Sequence, residues 1–136
     1  MATRSFIAKY DHDKNEYTAI YCHWDGYPQG VGLTLRDNYS WDEAVQTLLG
    51  FGDISALRDT LVETKQEAFK VTRGEDTPAL TFNYQSDMVE HYRKCWCEYG
   101  YIWIPTQFAE DGSGEWSCLS LNVQTVNLYE MENADV

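Results

Sequence analysis

Basic residues are scarce in this chain. Ten lysines and arginines stand against 22 aspartates and glutamates, for a formal net charge of −12. A surface this negative repels nucleic acid and anionic membrane, so direct binding to either is not expected. Long hydrophobic runs are missing as well. No stretch approaches the ~20 apolar residues of a membrane span, and the start MATRSFIAKY has no apolar core of signal-peptide length. The expected setting is a cytoplasm, with Cys22, Cys95, Cys97 and Cys118 reduced.

Metal-binding spacings are absent too. Nothing matches a CxxC knuckle. The candidates are Cys22, His23, His91, Cys95, Cys97 and Cys118. His91 and Cys95 would share a helix face, but Cys95 and Cys97 would point apart on the same helix. Buried, reduced thiols are the expected reading, with no metal and no cofactor. Nor is there a GxSxG elbow or an HExxH pair. Cys22 and His23 are strand neighbours facing opposite ways, which removes the simplest nucleophile–base pair. His23 with Asp25 remains a candidate acid–base pair, because catalytic groups favour loops.

What the chain does have is an aromatic, foldable composition. Its 136 residues make one domain, 1–136, with 131–136 as a frayed tail. Ten tyrosines and five tryptophans supply apolar bodies with polar tips, suited both to a core and to a contact surface. The acids are spread in pairs along the chain rather than gathered in a tail.

Residues 4–10 and 16–24 read as two strands joined by the turn DHDKN. A short helix is expected from Val31 to Asn38. Ser40 and Glu43 fit a capping box ahead of a helix carrying Ala44, Val45, Leu48 and Leu49 on one face, ended by Gly50 and Gly52. Asp53 is a cap candidate for another short turn. Residues 67–72 and 79–83 read as strands. A second helix opens at Ser86-Asp87, presents Met88, Tyr92, Cys95, Trp96 and Tyr99, and stops at Gly100. YIWIPTQF, EWSCLSL and VQTVNLY complete the strands. The expected fold class is α+β: an antiparallel β-sheet with two to three helices packed on one face.

The stretch IYCHWDGYPQGVG is the most distinctive. Asp25 can close the turn on backbone amides, and Pro28 stiffens it. The turn then offers Trp24 and Tyr27 as partner anchors, or covers the protein's own core. Gly30 and Gly32 either cradle an anion or let the chain pass close to the sheet. Together with the start MATRS, the segment resembles one common in small proteins of phages and prophages, over roughly residues 1–60. The resemblance implies a mobile-element origin and expression in the cytoplasm of a host bacterium. It carries over no activity and no catalytic residue.

Two functions follow as expectations. The first is a non-catalytic inhibitor of a host or defence protein, anti-CRISPR-like. It would block a basic nucleic-acid-binding or nuclease surface by charge complementarity. Its contacts would be Trp24, Asp25 and Tyr27, with Glu110, Asp111 and Glu115 at a hairpin tip. The second is a module for a nucleotide signal, either a sponge or an enzyme, with a pocket of Tyr21, His23, Trp24, Tyr27, Gly30 and Gly32. The shortage of cations counts against an anionic ligand. A virion or assembly component is a third possibility.

Overall fold

The computed structural model describes residues 2–121, 125, 126 and 128–130. Its centre is a sheet in the order β3-β2-β1-β4-β5-β6. The strands are β1 (Arg4–Asp11), β2 (Glu16–Cys22), β3 (Leu80–Phe82), β4 (Cys97–Pro105), β5 (Gly114–Ser120) and β6 (Thr125–Val126). All neighbours are antiparallel except the central pair, β1 and β4, which run parallel. A parallel pair needs a crossover, and the chain between β2 and β4 supplies it. That segment carries α1 (Leu33–Asn38), α2 (Asp42–Gly50), α3 (Leu61–Lys65), α4 (Phe69–Thr72) and α5 (Gln85–Lys94). The fold is α+β with a mostly antiparallel sheet.

The two central strands are buried on both faces. In β1, Ile7 points to one side and Phe6 and Ala8 to the other. On the Ile7 side, α1 and α2 bring Leu35, Val45 and Leu48 onto Ile20, Tyr101 and Trp103. This is the helical cover expected on one face. On the opposite side, α5 lays Met88 and Tyr92 over Phe6, Ala8 and Ile102. Helices therefore flank the sheet on both sides. The cause is β1 itself: FIA is apolar on both faces, and each face needs a cover. Phe6 fits because β4 has a glycine beneath it. A Cβ on Gly100 would lie 2.1 Å from the Phe6 ring, which stacks on Tyr92 with centroids 4.9 Å apart.

Four local expectations are corrected. Residues 67–72 are not a strand: α4 begins at Phe69, and strand-like pairing is confined to one bridge between Ile54 and Ala68. The Ser40–Glu43 capping box does not form. Trp41 is the N-cap residue, without a side-chain cap, and the Ser40 hydroxyl donates to the Arg36 carbonyl instead. Nor does Asp53 cap a helix; its Oδ1 accepts the Tyr21 amide at 2.8 Å. The second strong helix ends at Lys94, not Gly100, because Trp96 turns into left-handed backbone (φ 69°) and Cys97 joins the sheet beside Arg4. Burial of Tyr101, Ile102 and Trp103 on both faces of a central strand outweighs continuation of the helix. The expected strand over VQTVNLY falls partly, and the tail 131–136 wholly, outside the described residues. Among the described residues no helix is long and apolar enough to cross a membrane.

Candidate functional site

The candidate contact residues lie at opposite ends of the sheet. Trp24, Asp25 and Tyr27 follow β2, and the Gly26 amide bonds Thr3 just before β1. Glu110 and Asp111 belong to the β4–β5 connection and Glu115 to the start of β5, at the end where β1 finishes. The six steps from Ser5 to Asp11 along β1 separate the two ends by ~20 Å.

At the far end, β4 stops at Pro105, and residues 106–113 form a loop. It is held by its own bonds: the Thr106 amide to the Ser113 carbonyl at 2.9 Å, and Ala109 to Thr106 at 3.2 Å. Asp111 Oδ1 accepts the Ser113 amide at 3.0 Å, and the hydroxyl and amide of Ser113 hold the Asp111 carboxyl below its ordinary range. The loop is pinned to α2, where the Asp42 amide donates to Gly112 at 2.9 Å and Asp42 Oδ1 accepts the Trp103 indole at 2.6 Å.

This rigid loop displays Phe108, which is 93% exposed in left-handed backbone (φ 66°). Phe108 is thus a large apolar side chain held in solvent on a conformation that bulky residues avoid. Trp41, half exposed, stands beside the same loop at the start of α2. Between the loop and the β1–β2 turn lies an open cleft of about 500 Å³, with Lys9, His12, Glu16, Gln46 and Phe108 in its wall. His12 Nε2 donates to the Pro105 carbonyl at 2.7 Å and ties the two turns together. Sequence patterning places Phe108 at the end of a strand. Its one available signal is an apolar residue isolated in the polar run TQFAEDGSG.

At the near end, the turn from 24 to 32 is fastened inward. The Asp25 carbonyl accepts Val31 and the Tyr27 carbonyl accepts Gly30, both at 2.9 Å. The buried Tyr101 hydroxyl donates to Gly26 at 2.6 Å. Closure runs through the Asp25 backbone, while its carboxylate receives only the Tyr27 hydroxyl at 3.4 Å. A Cβ at Gly30 would sit 2.4 Å from the Asp25 carbonyl oxygen, and one at Gly32 would meet Leu128 and Tyr101. These glycines let the chain press onto its own turn and onto the sheet.

Tyr21, His23 and Trp24 form a separate, contiguous group. The Tyr21 hydroxyl meets His23 Nδ1 at 2.9 Å, and the His23 and Trp24 rings meet edge-on at 4.6 Å. Burial lowers the His23 pKa, and Arg73 and Arg4 lower it further. Burial pushes the Tyr21 phenol up to about 12.

The cysteines are unsuited to nucleophilic work. All four are free, and Cys22, Cys97 and Cys118 are buried. Burial raises Cys22 and Cys118 to about 12 and also raises Cys95 and Cys97, so thiolate is scarce at neutral pH. Cys95 Sγ lies 3.9 Å from His91 Nε2. Among the described residues, no group of three or more His, Cys, Asp or Glu is arranged to hold a metal ion.

Comparison with known proteins finds no similar protein: no family model, no curated protein and no solved structure matches the chain.

Proposed function

We propose that this chain is a small acidic, phage-encoded binding protein that acts without catalysis. It docks its β4–β5 loop on the basic, nucleic-acid-handling surface of a host or defence protein in the bacterial cytoplasm and inhibits it, in the manner of an anti-CRISPR. The observation that carries this reading is Phe108, held in solvent by a hydrogen-bonded loop that also bears Glu110 and Asp111, with Glu115 on the adjoining strand. An aromatic anchor ringed by carboxylates suits a basic surface with an apolar pocket. The net charge of −12 would speed that encounter.

The test captures binders of the tagged protein from infected host lysate and then measures purified partners one at a time. A nuclease or nucleic-acid surveillance complex is expected. Its affinity should fall as salt rises. It should be lost on joint charge reversal of Glu110, Asp111 and Glu115, and on Phe108→Ala. A partner that holds equally well after both changes overturns the proposal.

A further inference from the structure

The end of the sheet opposite Phe108 holds two arginines whose charges reach the same side chains, Tyr21 and His23. Of the five arginines, Arg36, Arg58 and Arg93 each sit against a carboxylate, on Asp37, Glu67 and Glu90. Arg4 and Arg73 have no ion pair among the described residues.

Both converge on one patch. Ser5 faces Cys22 and Phe6 faces Tyr21 across β1 and β2. Arg4 precedes that ladder and His23 follows it, and both Arg4 and Arg73 act on Tyr21 and His23. Arg73 follows α4 and lies 3.8 Å over the Phe69 ring, which packs edge-on against Tyr21 at 6.0 Å. His23 then leads to Trp24, half exposed. Arg4 bonds the Cys95 carbonyl at 3.5 Å, a long contact that leaves most of its donors unused. Acids stand near the patch: Asp25 follows Trp24, and the Glu75 amide bonds the Phe69 carbonyl at 3.2 Å. Asp53 lies beneath, occupied by the Tyr21 amide, and Glu98 shares with Arg4 and Trp96 a neighbouring cleft of about 290 Å³.

We propose that Arg4, Tyr21, His23, Trp24 and Arg73 bind a small phosphorylated aromatic molecule of the nucleoside monophosphate class. The phosphate lies between the two guanidiniums and the base stacks on Trp24. Guanidinium forks suit phosphate oxygens, His23 adds a donor, and a half-exposed indole accepts any base face. This site lies ~20 Å from the Phe108 loop and is independent of the proposed docking function.

The test follows the His23 and Trp24 resonances of the full chain by NMR while AMP, adenosine or inorganic phosphate is added. AMP should shift both in a saturable way, phosphate should shift His23 more weakly, and adenosine should shift neither. An anion seated between the arginines should also raise the His23 pKa. Arg73→Gln, at an exposed position, should weaken AMP by about tenfold, the size of one lost charge-assisted bond. Trp24→Ala should abolish the AMP preference over phosphate, while Trp96→Ala and Lys94→Gln should leave binding unchanged. No shift with millimolar AMP overturns the proposal, and so does AMP binding indifferent to Arg73→Gln. Loss on Trp96→Ala with retention on Trp24→Ala overturns the assigned stacking face.

Discussion

The two ends of the sheet invest their aromatic residues differently. At the 24–32 turn, backbone carbonyls of Asp25, Gly26 and Tyr27 are all engaged from within, by Val31, Tyr101 and Gly30. Substitution of the glycines there, or of Tyr101 beneath them, acts on the fold. At the 106–113 loop, the internal bonds stop at the backbone and Phe108 is left outside. Substitution there acts on whatever the loop meets. A distinctive sequence motif is therefore no guide to which end is exposed for work. The backbone of the HWDGYP turn is fastened inward, while the plain TQFAEDG leaves Phe108 in solvent.

The largest expected contrast is steric. Gly30→Ala places a methyl 2.4 Å from a carbonyl oxygen, and Gly100→Ala drives one into the Phe6 ring. Each should destabilise by about 1–3 kcal/mol, the usual cost of overpacking. Phe108→Ala should stay within about 0.5 kcal/mol, as an exposed site. Denaturant unfolding checks all three, and a Phe108→Ala loss equal to that of Gly30→Ala would erase the distinction.

A middle-sized contrast is polar. Tyr101→Phe leaves the Gly26 carbonyl without its buried donor and should cost about 1–3 kcal/mol. Reversing Glu110, Asp111 and Glu115 together should leave the midpoint nearly unchanged, or raise it slightly by easing self-repulsion in a chain of net charge −12. A large loss of stability in the triple variant would show that the loop braces the fold.

The smallest effect is a pH dependence at the near end. The folded state lowers the His23 pKa from 6.5, chiefly by burial and then through Arg73 and Arg4. The unfolded chain therefore takes up its proton first. The stabilisation is present above pH 6.5 and is lost as pH falls through the depressed value. His23→Gln should flatten stability against pH in that window. The half-buried Asp53 carboxyl has the opposite sense. Its pKa is raised from 3.8 by burial, so its contribution is present below 3.8 and lost as pH climbs through the raised value. Asp53→Asn keeps an acceptor for the Tyr21 amide and should remove that second slope.

Much of the fold was legible because it is local. DHDKN closes the first hairpin as its chemistry predicts: Asp11 Oδ1 takes the amides of Asp13 and Lys14 at 2.9 and 3.1 Å. Ala44, Val45, Leu48 and Leu49 form the buried face of α2 as spaced. The capping box failed because Ser40 stands one residue ahead of the N-cap, Trp41, and its hydroxyl donates to the Arg36 carbonyl one turn back. The candidate sites were less legible. Glu110 and Asp111 do flank a tip, but Phe108 looked like strand. Arg4 and Arg73, 69 positions apart in sequence, meet at one patch only through the β1–β2 register and the placement of α4 on Tyr21.

By itself the sequence determined the acidic surface, the periodic apolar faces and the turn chemistry, since each depends on residue type and near neighbours. Tertiary structure alone decided that β1 and β4 run side by side in parallel, that α5 covers the second face, and that the two aromatic loops stand at opposite ends. Those outcomes follow from burying both faces of a central strand at once, a demand that the whole chain satisfies and no short stretch encodes.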